Sequence, residues 1–137
     1  MKIILFIFLV IFMKPIFSKE LKPLNELLDL ESDKNYSNSL IMTKRCAAIY
    51  GALYFIHQHE IDSEKYENRY KIFLQTAVIE DIKLNGTNEN DSYKKQIEEF
   101  KSSLTFFIQI LLQNHKKNNS FLKNHWIEKD LEICEKY

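Results

Sequence analysis

Three sets of residues in this chain have types and spacings that chemistry can use. The first is the histidines, His57, His59, His115 and His125. "HQHE" and "HWIE" each supply a His-x-x-Glu, which on a helix sets an imidazole and a carboxylate on roughly one face. That pairing suits zinc or a non-haem transition metal. Di-metal bundles, however, use Glu-x-x-His on facing helices, and that order does not occur here. The histidines to inspect are therefore His57 and His115, with Glu60, Glu64 and Glu128 toward the same end. The sequence assigns no metal and no cofactor, and polar capping of a bundle end is the simpler expectation.

The second set centres on Asp130, which falls in the middle of an otherwise apolar helix face. Buried carboxylates are rare unless paired. Its position one turn before Cys134 predicts a buried polar contact with Tyr50, or with Arg45. With no second carboxylate or nucleophile implied beside it, the contact reads as structural and no catalytic residue is assigned. The third set is Cys46 and Cys134, the two cysteines of the chain. Nucleophilic and phosphate chemistry lack their signatures: there is no Gly-x-Ser-x-Gly, and two glycines cannot build a phosphate-cradling loop.

The elements that must position these residues begin with the first twenty, "MKIILFIFLVIFMKPIFSKE". A basic Lys2, an unbroken apolar run from Ile3 to Met13, a break at Pro15 and a small Ser18 form a secretory signal pattern. The run is too short to cross ~30 Å of hydrocarbon, which takes ~20 residues. Residues 1–18 are thus expected to be a signal peptide and 19–137 a single domain. Export to a periplasmic or extracellular compartment makes a Cys46–Cys134 disulfide the expected state of the thiols. Lys and Arg equal Asp and Glu in number, and losing Lys2 and Lys14 with the leader tips the balance slightly acidic. That excludes the electrostatic footprint of a nucleic-acid binder.

All the periodicity in 19–137 is helical. A short helix is expected over Leu21 to Leu30, then the polar connector "ESDKNYSN". A second helix, capped by Asn38 or Ser39, should run to about Glu60. It contains "RCAAIYGALYFI", apolar almost all round, which marks a buried central helix. A third carries Tyr66, Tyr70, Phe73, Ala77 and Leu84 on one stripe and ends at Gly86. A fourth, from Asn88–Asp91 to about Lys117, places Tyr93, Ile97, Phe100, Leu104, Phe107 and Leu111 inward. A fifth is expected from Phe121 to Tyr137, capped by Ser120. The fold class is all-α: an up-down four-helix bundle with a short extra N-terminal helix, stapled by one disulfide.

Four Asn-x-Ser/Thr sequons start at Asn35, Asn85, Asn90 and Asn118; they acquire meaning only in a eukaryotic secretory host. The function expected is non-enzymatic: binding or adapting a protein partner in the cell envelope, without nucleic acid and without stable membrane insertion after cleavage. A second reading is a binder of small apolar ligands lined by the chain's aromatics. A third is a metal-dependent enzyme at the histidine end.

Overall fold

A computed structural model describes residues 22–30 and 35–137 of this chain. The signal peptide expected over residues 1–18 and the start expected for the first helix lie outside the described residues. Among the described residues five helices follow in order: α1 (Leu24–Leu30), α2 (Asn35–His57), α3 (Ser63–Asn85), α4 (Glu89–Asn118) and α5 (Trp126–Glu135). The protein is an all-α bundle with one disulfide. Three long helices, α2 to α4, pack on one another, and α1 and α5 lie together against α2.

Helix α2 is the hub, touching each of the other four. Its small residues explain how: Ala47, Ala48, Gly51 and Ala52 are all buried and admit neighbouring backbones on several sides. Gly51 shows the tightest approach, since a Cβ there would lie 2.7 Å from Cζ of Phe100 on α4. Between these small positions, Ile49 and Leu53 fill the centre with Phe107 and Leu111 of α4 and Ile127 of α5.

Local signals set several helix ends. Asn88 caps α4 by accepting the Asp91 N–H at 2.9 Å. Gly86 ends α3 in the left-handed region at φ 65°, where glycine has no Cβ to clash. The caps expected for α2 are corrected: the helix begins at Asn35. Thr43 Oγ1 donates to the Ser39 carbonyl at 2.9 Å, a bond inside a turn that is already helical.

The last helix is also corrected. It starts at Trp126, not Phe121, and His125 is its cap. Residues 119–125 form a loop because buried Asn114 offers a better set of partners than a helical turn would. Asn114 Nδ2 donates to the carbonyls of Ser120 and Phe121 at 3.0 and 2.9 Å, with the Lys123 carbonyl at 3.2 Å. Asn119 and Asn124 take positive φ, which asparagine tolerates better than most residues.

Candidate functional site

Asp130 is fully buried. Its Oδ1 accepts the backbone N–H of Leu24 at 2.6 Å, and its Oδ2 lies 3.2 Å from Nη1 of Arg45. Arg45 Nη2 donates in turn to the Lys22 carbonyl at 3.1 Å. The guanidinium sits 5.4 Å from both the Phe107 and the Trp126 ring centroids. One buried ion pair thus ties α2, α5 and the chain entering α1. Burial pushes the Asp130 carboxyl above its ordinary range, against the opposing pull of the Leu24 N–H and of Arg45. Burial likewise pushes Arg45 down, with Asp130 opposing.

The expected contact with Tyr50 is not formed. The Tyr50 ring stacks on Phe73 at 5.8 Å, and Arg69 lies 5.3 Å from its centroid. Arg69 Nη2 also donates to the Cys134 carbonyl at 2.9 Å. Tyr50 therefore helps seat α3 on α2, whereas the long Arg45 side chain spans the distance to Asp130. Close by, Cys46 and Cys134 are bonded, with S–S 2.03 Å, and both are fully buried.

The histidines gather near one end of the bundle but do not converge. Phe121, turned inward by the 119–125 loop, packs against both His57 and His115. Its centroid is 5.3 Å from His57 and 4.4 Å from His115. His57 Nδ1 lies 2.8 Å from Glu60 Oε1, off the direction of a hydrogen bond. His59 is exposed. His125 Nδ1 accepts the Ile127 N–H at 3.3 Å, and burial holds its pKa down, which keeps the lone pair that the cap requires. Among the described residues, no group of three or more His, Cys, Asp or Glu is placed to hold a metal ion.

A second buried carboxylate escaped the sequence reading. Asp81 on α3 is fully buried and receives Asn85 Nδ2 at 2.7 Å, Ser92 Oγ at 2.7 Å and Lys95 Nζ at 2.9 Å. Burial alone would raise its pKa, but hydrogen bonds from Lys95, Ser92 and Asn85 outweigh it and hold the pKa at about 2. The group clamps the α3–α4 hairpin. A signal was available: Phe73, Ala77 and Asp81 are spaced by four, so the carboxylate lies on the apolar stripe. Leu84, expected on that stripe, is instead exposed.

The interior aromatics contact one another. Tyr54 lies 5.7 Å from Tyr70, Tyr70 stacks on Phe100 at 5.6 Å, and Phe107 meets Trp126 edge-on at 6.1 Å. A notch of about 10 Å³ is lined by Ala47, Leu74, Gln96 and Phe100, among others; it has space for about one water. Gln96 is buried there with both amide atoms unpartnered among the described residues. No family model, curated protein or solved structure matches this chain.

Proposed function

We propose that this protein is a small exported helical protein that acts without catalysis, by binding a protein partner in the cell envelope through the outside of its bundle. One observation carries this reading: among the described residues, the buried carboxylates and both thiols are already engaged within the fold. Asp130 holds Arg45 and Leu24, Asp81 holds Lys95 and Ser92, and the cysteines hold each other. The other two readings are disfavoured because the aromatics fill the core and Phe121 packs against both His57 and His115.

The outward side of α3 supports the choice of surface. Ile72 and Ile79, about 54% and 51% exposed, are seven residues apart and so lie nearly in line along the helix. They point away from the stripe of Phe73, Ala77 and Asp81 that faces the core. The test is to place a photo-crosslinking side chain at position 79 in producing cells, with Gln109 on α4 as a control position. A discrete protein adduct at 79 in the exported fraction, weakened by Ile72→Glu, is expected. Identical adduct patterns at both positions, or none at either, would overturn the reading.

A further inference from the structure

Asn85–Gly86 is the single Asn-Gly pair in the chain, and it sits where α3 ends, one turn after Asp81. Asparagine followed by glycine is the dipeptide most prone to spontaneous imide formation, because no side chain shields the glycine nitrogen. We propose that Asn85 is a deamidation site restrained by the folded hairpin and released by its opening, and that the product then prevents the Asp81 clamp from reforming.

The chemistry is self-contained. The Gly86 nitrogen attacks Cγ of Asn85, forming the N–Cγ bond of a five-membered imide. The Cγ–Nδ2 bond breaks, and ammonia leaves with the proton shed by the Gly86 N–H. Water then opens the imide at either carbonyl, leaving aspartate or isoaspartate at position 85.

Both reacting groups are held apart from that course. The Gly86 N–H donates to the Ile82 carbonyl at 2.9 Å, so its nitrogen is committed to the helix end. Asn85 has helical backbone geometry as the last residue of α3, and its Nδ2 donates to Asp81 Oδ1. The site is nevertheless wet, since Asn85 and Gly86 are both exposed. Opening of the hairpin, rather than access of water, is the gate.

The product is incompatible with the clamp. Asn85 gives Asp81 a donor at 2.7 Å; an aspartate at position 85 gives it a second negative charge at that distance instead. An isoaspartate adds a methylene to the backbone at the left-handed cap as well. Either change removes one of the donors that keep the buried Asp81 ionised.

The test follows the full-length, disulfide-bonded protein over days at neutral pH by peptide mapping, natively and in guanidinium. Conversion at Asn85 should be slower in the native state by roughly tenfold or more, the factor set by an opening free energy of about 1.4 kcal/mol. Ser92→Ala, which loosens the clamp, should give an intermediate rate, and Gly86→Ala should suppress conversion even in guanidinium. Asn85→Asp, made directly, should lower the melting temperature. Equal native and unfolded rates would overturn the gate. An Asn85→Asp protein as stable as wild type would overturn the claim about the product.

Discussion

Removing the carboxylate of Asp130 tests the central arrangement most directly. Asp130→Ala leaves the Arg45 guanidinium, whose side chain is 6% exposed, charged and without its partner. It also strips the acceptor from the Leu24 N–H. Breaking one half of a buried pair costs about 3–5 kcal/mol, against a total stability of about 5–15 kcal/mol for a domain of this size. Asp130→Asn should cost less, because its Oδ1 still accepts from Leu24. The double change Arg45→Met with Asp130→Asn removes both charges and keeps that acceptor. It should lie within about 2 kcal/mol of wild type, the residue being the lost stacking of Arg45 between Phe107 and Trp126.

Urea unfolding of the oxidised protein, followed by helical circular dichroism, measures wild type, Asp130→Asn, Arg45→Met and the double variant as a double-mutant cycle, with Asp130→Ala alongside. Urea is preferred to guanidinium because it does not screen charge. The direction of the Asp130 shift adds a pH signature. A carboxyl with a raised folded pKa contributes stability that is full below the unfolded value and lost as pH rises through the folded one. Wild type should therefore lose its margin over Asp130→Asn as pH climbs from the ordinary carboxylate range. An Asp130→Ala cost below about 1 kcal/mol, or a double mutant as unstable as the summed singles, would refute the argument.

Asp81 should behave in the opposite sense. Its pKa is lowered from 3.8 to about 2, so its contribution is full above the unfolded value and lost as pH falls through the folded one. That contribution is about 1–2 kcal/mol after discounting for the half-exposed Lys95. Asp81→Asn should remove this acid sensitivity, and Ser92→Ala should move it to higher pH; urea midpoints across the acid range measure both. Gly51→Ala should destabilise despite the gain of about 0.5–1 kcal/mol in helix propensity. Phe100, 2.7 Å from the new Cβ, is stacked on Tyr70 and resists moving, so overpacking of about 1–3 kcal/mol prevails. Thermal melting of that variant gives the sign.

The helical elements were legible because burial on α3 and the later part of α4 follows the 3.6-residue period, and because α2, buried without a break from Arg45 to Leu53, is apolar almost all round. Asp130 was legible for the same reason, as a charge interrupting an apolar stripe. The rest depended on contacts that no local pattern encodes. In the first half of α4 the buried line runs through Ser92 and Gln96, one residue before the predicted Tyr93 and Ile97, because Ser92 turns toward Asp81. Tyr93 is left half-exposed. Phe121 and Leu122 look like the start of an amphipathic helix. The partners that hold their backbone in a loop belong to Asn114, a polar residue buried on the preceding helix. Tyr50 was misassigned because the sequence shows neither how far Arg45 reaches nor that α1 docks beside α5 and delivers the Leu24 N–H.

The Cys46–Cys134 bond closes a covalent ring around α3, α4 and the connections on either side of them. A protease that cuts once at the 58–62 turn or in the 119–125 loop would therefore open the ring without separating its pieces. Cys46 would remain on one fragment and Cys134 on the other. Arg45 is adjacent to the first and Asp130 one turn from the second, so the join holds the two partners of the ion pair close together. Their reassociation is then intramolecular, at an effective concentration of order mM, and does not fall as the protein is diluted. A nicked molecule would be a single species until a reductant reaches its sulfurs, which the fold buries completely. The fold would then tolerate a cut peptide bond at either connection far better than the loss of this one bond.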